Sequence, residues 1–455
     1  MTTSARPALR GTTRRTALTL PLLALAGFGL AGCVDNKPAS SGASAGASAG
    51  ASAGATEVTV TITDDGLELS TTTFPSGVVT FTMTNNGTVA NEFEILTENK
   101  LQIVSEQENI GPGTTASLTT ALSEGTYYAA CKPNMVGELK GVTELTITKG
   151  AAVEVSEDVA ELEKQAVTNY TAYVRDQVGQ LLEATKTFTE AYLGGDADKA
   201  KELYPLARQH YERIEPTAES FGIEAAGDLD EALDLRIQDL AADAGVETTD
   251  ASVIGTWTGW HRIEADLWDG GEGSPFAFAD DAARKAVADK LVEDTQKLYD
   301  LVYGNIEGPS GTYELTLTDV ATGAASLLEE VALSKIVGEE ETFSHTDLYD
   351  FKANVEGAEV AYGNVQAIVE KNDADLATKI DEGLKKVNDL IAAHEDGTTA
   401  DGATKYVDYS TIAEVQVNAG EAPSDTDYTD VQREFSDAVN ALSESLSQVA
   451  GTVLH

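Results

Sequence analysis

One short run holds much of the chain's scarce chemistry. In GTWTGWHRIEADLW, Gly255 to Trp268, all three tryptophans gather around one of five histidines. His261 and Glu264 stand at i and i+3, so a helix would present imidazole and carboxylate on one face. The same periodicity adds Trp257 and Trp268 to that face, while Trp260, Ile263 and Leu267 fall beside it and read as core. Such His/Glu pairs coordinate metals inside helical bundles, and imidazole with carboxylate suits iron, zinc or manganese. H-x-x-E alone also recurs by chance, and a plain His–Glu hydrogen bond at a helix interface uses the same spacing. It is not H-E-x-x-H, so a zincin-type hydrolase is not indicated. Further ligands have to come from other helices: YERIEP offers Glu212 and Glu215, and LDLRIQD offers Asp234 and Asp239.

The elements that must carry these residues are helical. From about residue 156, Val167, Tyr170, Val174, Val178, Leu181, Ala184 and Phe188 form one helical stripe. A second helix runs from about Asp198 through HYERIEP. Others are expected over 228–244, 255–268, 280–305, 323–337, 346–371, 373–395 and 429–449. Ser344 or Thr346 ahead of an acid, in SHTDLYDF, reads as a helix N-cap rather than as part of a site. Upstream, residues 57–149 change period: EVTVTIT and VVTFTMT alternate strictly, and EFEIL, TYYAA and TELTITK do so less cleanly. Turn signals between them suggest a β-sandwich. The expected class is multidomain, an N-terminal β-sandwich followed by an all-α helical bundle.

The N-terminus reads as a targeting segment. Arg6, Arg10, Arg14 and Arg15 precede an apolar run that ends Leu30-Ala31-Gly32-Cys33, a lipobox in which Cys33 receives lipid after cleavage. Thr13-Arg14-Arg15 also resembles a twin-arginine export signal. The expected division is therefore 1–32 signal peptide, 33–56 lipidated cysteine and Ser/Ala/Gly tether, 57–149 β domain and 150–455 helical domain. Net charge is −46, from 76 acids and 30 bases, and most of it belongs to the helical part. Such a balance argues against nucleic acid as a partner and suits a protein that concentrates cations. With Cys33 acylated, the other cysteine, Cys131, has no partner, which leaves a buried apolar role or a ligand role.

The runs YVRDQVGQLLEATKTFTEAYLGGDADKAKELYPLARQHYERIEPTAESF, GWHRIEADLW and FSHTDLYDFKANVEGAEVAY resemble, in order, the exported iron-binding components of Efe-type iron-uptake systems. The helical part of that family is imelysin-like, with an H-x-x-E motif. The resemblance implies a metal held by His261, Glu264, Glu215 and Asp234, with Asp239 as the alternative aspartate. It implies iron, Fe2+ or Fe3+, as the cargo, and a membrane permease and a haem peroxidase as partners. Longer members carry a cupredoxin domain, and 57–149 has that look. This stretch contains no histidine, so a blue-copper His2Cys site cannot form from it. The donors left are Glu92, Cys131 and Met135, with Glu94, Glu106 and Glu108 nearby in sequence, for iron, copper or zinc. The resemblance also implies that this domain holds copper or iron and either oxidises Fe2+ or relays the ion. Two other readings stand beside iron uptake: a metallopeptidase, suggested by the superfamily name, and a surface lipoprotein whose acidic face binds cations loosely.

Overall fold

The computed structural model describes residues 56–134, 138–150, 159–215, 229–306, 313–333, 335–413 and 428–453. The leader, Cys33, the tether and Met135 lie outside the described residues. Nine strands come first. β1 (Thr56–Thr63), β2 (Gly66–Leu69), β4 (Gly77–Asn85) and β7 (Thr115–Leu122) form one sheet in the order β2-β1-β4-β7. β3 (Thr73–Pro75), β5 (Asn91–Leu96), β6 (Ile103–Ile110), β8 (Gly125–Pro133) and β9 (Lys140–Thr148) form the other, in the order β3-β9-β8-β5-β6. Alternation explains the sandwich: Val58, Val60 and Ile62 of β1 and Val79, Phe81 and Met83 of β4 point inward, onto Phe93, Cys131, Leu145 and Ile147 of the second sheet.

The helical part opens with α1 (Val159–Leu193), whose stripe of Tyr170, Val174, Val178, Leu181 and Phe188 is buried as its period requires. It packs against α2 (Ala197–Glu212) and the long α9 (Asp347–Asn372). Between them come α3 (Leu229–Asp234), α4 (Ile237–Ala244), α5 (Ala251–Ile254), α6 (Trp260–Asp269), α7 (Asp281–Val302) and α8 (Leu317–Leu333). α10 (Ala374–Ala392), α11 (Asp430–Leu446) and α12 (Val449–Val453) complete the bundle, and a small hairpin, β10 (Glu395–Thr398) and β11 (Thr404–Tyr406), lies between α10 and α11. Among the described residues, no helix is long and apolar enough to cross a membrane.

The sandwich is fixed to the bundle through its second sheet. Leu96, Ile103 and Ala130 pack on Ala172 of α1. Beside them Lys132 is fully buried, 2.8 Å from Glu94 and ion-paired to Asp176 of α1. Three charges removed from water are tolerated only when each meets its opposite.

Candidate metal centre

Three segments converge on His261. α6 starts at Trp260 because Gly259 adopts φ 85°, and a Cβ there would lie 2.3 Å from the Leu233 carbonyl oxygen. Only glycine allows this close approach, and it presses the start of α6 against the end of α3. The single helix expected over 228–244 is broken at that point. Arg236 is extended (φ −85°, ψ 150°), and the freed Leu235 carbonyl accepts the Trp257 indole N–H at 2.6 Å. The break leaves Asp234 beside His261, with Oδ1 3.3 Å from Nε2. The third segment is the irregular stretch before α9, whose Glu340 places Oε1 3.5 Å from the same Nε2.

Glu264 sits on the other side of the ring. Its Oε2 is 3.1 Å from His261 Nδ1, while its Oε1 accepts the backbone N–H groups of Phe343 (2.9 Å) and Ser344 (2.7 Å). Two ligand groups result: Asp234/His261/Glu340 and His261/Glu264/Glu341, each with its ligand atoms within 4.8 Å of one another. The tryptophans position rather than ligate. Trp257 ties down Leu235, Trp260 packs on Phe188 and Tyr204 in the core, and Trp268 meets the edge of Tyr204.

Fixed cations thread the acids. Arg208 is fully buried and bonds Asp234 and Glu212, with Glu341 at 2.7 Å, Glu340 at 3.2 Å and Asp350 at 3.8 Å. The ammonium of Lys335 lies 2.6 Å from Glu212, 2.9 Å from Glu215 and 3.8 Å from Glu340. Thus His261, Glu264 and Asp234 come together, whereas Glu215 is turned to Lys335 and reaches the imidazole only through Lys335 and Glu340. Asp239 points away to Arg236, at 3.0 Å, and is half exposed.

Sequence reasoning missed Glu340, Glu341, Arg208 and Lys335, while the helix start it placed at SHTDLYDF is where α9 begins, with Thr346 at the N-cap position. Thr346 precedes α9 but makes no side-chain capping bond. Asp347 and Asp350 are buried, and Asp347 Oδ2 and both Asp350 oxygens lack a hydrogen-bond partner among the described residues, as does His261 Nε2. Buried polar atoms without partners are what an added cation would satisfy. The signals available were the GEEE run at Gly338–Glu341 and the i,i+4 pair Arg208/Glu212.

The electrostatics follow from burial and charge. Burial, reinforced by Glu341, pushes Asp347 well above the usual carboxylate range. Burial likewise raises Asp350 against the pull of Arg208. Glu264 is pushed up to about 7, by burial and then by Glu341. Burial would also raise Asp234 and Glu340, but Arg208 and His261 hold the first low, and Lys335 and Arg236 the second. His261 is lowered by burial and Arg208, but Asp234 and Glu264 outweigh them and raise it. A proton on His261 and three fixed cations, Arg208, Arg236 and Lys335, therefore offset part of the negative charge of the centre.

The donors suggested for the β domain do not converge. Register pairs Phe93 with Cys131 and Glu92 with Lys132 on adjacent strands. Cys131 therefore joins Phe93 in the sandwich core, while Glu92 lies on the opposite face with Lys132. Burial, then Glu94, pushes the Cys131 thiol up to about 11, so it is held as thiol rather than thiolate. Met135 is outside the described residues, as noted. Glu94 is committed to Lys132.

A sandwich joined to a helical bundle that buries an imidazole among carboxylates defines a two-domain metal-binding protein. The imelysin family matches residues 166–449, and the cupredoxin-like domain matches residues 39–143. Relatives named iron uptake system component EfeO align over most of the chain. That of Yersinia pseudotuberculosis serotype I is 33% identical over 442 residues, 97% of this chain and 98% of the relative. That of Yersinia pestis is 33% identical over 399 residues, 87% and 91% of the two chains, and that of Escherichia coli O157:H7 is 34% identical over 404 residues, 87% and 91%. The chain belongs to the imelysin family, in its EfeO group with an N-terminal cupredoxin-like domain.

Proposed function

We propose that this chain is an extracytoplasmic iron-binding protein of an Efe-type uptake system, held to the membrane by lipid on Cys33. It captures iron at the His261 centre and delivers it to a membrane permease, with a haem peroxidase as a further component. The observation that carries the reading is the His261 ring. Its Nδ1 is braced by Glu264, and its Nε2 is aimed, without a hydrogen-bond partner, between Asp234 and Glu340. A carboxylate on one nitrogen fixes the tautomer that leaves the other free to ligate. Because Nδ1 is held by Glu264, the Nε2 side with Asp234 and Glu340 is the preferred ion position. Glu341 lies within reach, and Glu215 supplies charge through Lys335.

One imidazole among carboxylates is a hard donor set, which favours iron over cuprous ions. The carboxylates around the ring outnumber Arg208, Arg236 and Lys335, so an incoming cation relieves repulsion. Iron at Nε2 displaces the imidazole proton and takes over part of the charge balance that Arg208 provides at Asp234 and Glu340. Release to a permease is the reverse exchange, in which the proton and Arg208 recover their partners.

The test is aerobic and anaerobic iron titration of the mature chain with Cys33 replaced, beside His261→Ala/Glu264→Ala. Tight binding that the double variant loses supports the reading. Unchanged affinity in the double variant would leave His261 and Glu264 as a structural pair.

A further inference from the structure

A cavity of about 290 Å³ lies where α2, the segment before α9 and the β10–β11 hairpin meet. That is close to the small end of ligand pockets, about 300 Å³. Lys201 and Lys405 both line it, and neither forms an ion pair among the described residues. In a chain with 76 acids and 30 bases, two such ammonium groups on one cavity call for a counter-charge. The two acids on its wall are engaged elsewhere: Glu202 binds Lys199 at 2.6 Å, and Asp408 accepts from Ser410. Lys201 is steadied by the Trp268 ring, 5.1 Å from its centroid.

His345 is the second observation. It holds φ 57°, a left-handed conformation rare outside glycine. Its backbone is pinned on both sides, its N–H donating to the Glu341 carbonyl at 2.8 Å and its carbonyl accepting from Tyr409 at 3.0 Å. The residue lines this cavity, and its Nδ1 is buried without a hydrogen-bond partner among the described residues. Strain held by bonds on both sides, beside a cavity, is characteristic of ligand clamps. The third observation is Ser344, which lines the cavity and also touches the metal centre. Its N–H donates to Glu264, and its hydroxyl donates to Glu341 at 2.6 Å.

We propose that this cavity binds a small multivalent carboxylate, the anionic arm of a metal chelator, beside the His261 centre. The proposal rests on the iron-binding reading and extends it to the form in which the cargo arrives. Lys201 and Lys405 take the carboxylates, and Ser344, shared by the cavity and the metal centre, sets the chelated ion near Asp234, His261 and Glu340. The transfer is a ligand exchange: chelator oxygens leave the ion as protein oxygens and the imidazole nitrogen replace them, with no change of oxidation state.

The test is calorimetric titration of the metal-free mature chain with citrate and, separately, with inorganic phosphate. Citrate should bind, and Lys405→Glu and Lys201→Glu should each weaken it at least tenfold. Lys405→Glu, on the exposed hairpin, should retain binding of iron supplied without a chelator, which reports that it folds. His261→Ala should leave citrate affinity within about twofold, so loss of the iron reading and loss of this proposal give different results. Failure of citrate to bind at millimolar concentration, or affinity indifferent to both charge reversals, would overturn it. So would binding of phosphate without citrate, which would make the cavity a phosphate site.

Discussion

Glu264→Gln tests the centre most directly. The Glu264 Oε1 accepts two backbone N–H groups, from Phe343 and Ser344, so the glutamine carbonyl oxygen takes that place. The amide NH2 then faces His261 Nδ1, which Glu264 Oε2 now meets at 3.1 Å. An amide donor there requires Nδ1 to accept, which moves the ring proton to Nε2, the nitrogen that should ligate. Loss of a partner that orients a ligating histidine weakens metal binding about 10- to 100-fold, or about 1.4–2.7 kcal/mol. The assay is thermal and chemical unfolding with and without iron. At free iron of about 100 times the native Kd, binding adds about 2.7 kcal/mol to the native protein. The variant at that concentration should gain about 1.4 kcal/mol for a tenfold loss and about 0.4 kcal/mol for a hundredfold loss. The metal-free variant should unfold cooperatively, since both backbone donors keep their acceptor. A full native gain in the variant would refute the assignment of Nε2 as the ligand and of Glu264 as its brace.

Three further outcomes follow. Lys335→Met removes a cation 3.8 Å from Glu340; a like charge so close to a ligand opposes cation binding, so iron affinity should rise by about tenfold or more by titration, and a fall would show that Lys335 holds the ligands in place. Lys132→Met leaves Glu94 and Asp176 buried without their cation and should cost about 3–5 kcal/mol in denaturant unfolding, whereas Lys132→Met/Glu94→Gln/Asp176→Asn should recover most of it. Glu92 is pushed up to about 9, by burial first, with Lys132 opposing and Asp176 and Glu106 adding. A carboxyl raised in this way favours the folded state fully below its ordinary value near 4.5 and loses that contribution as pH rises through about 9; thermal midpoints should therefore decline across that window, and Glu92→Gln should flatten the decline.

What the sequence disclosed followed from periodicity. The stripe on α1 and the alternation in β1 and β4 repeat often enough to be read without partners. His261 and Glu264 were readable for the same reason, being one helical turn apart. Glu340 and Glu341 were not, because they lie in an irregular segment where spacing carries no direction. Arg208 sits on α2 like any amphipathic arginine, and its five acidic neighbours come from three other places in the chain as well as from its own helix. Asp347 and Asp350 satisfy the pattern of a helix start, which hides their burial. The Glu92–Cys131 grouping failed for a different reason: the face of a strand residue depends on its register with the neighbouring strand, and Phe93, not Glu92, is opposite Cys131.

The charge centre also dictates an order of assembly. Arg208 meets Glu340 across 132 residues of sequence, and Lys335 meets Glu212 across 123. No segment shorter than that contains both halves of either pair, so the loop must close before any ion finds its ligands. A half-folded chain therefore offers iron the local His261–Glu264 pair but not Glu340, and the full ligand set forms only with the long-range closure. Loading and unloading are then properties of the finished fold, open to repetition once that loop has closed.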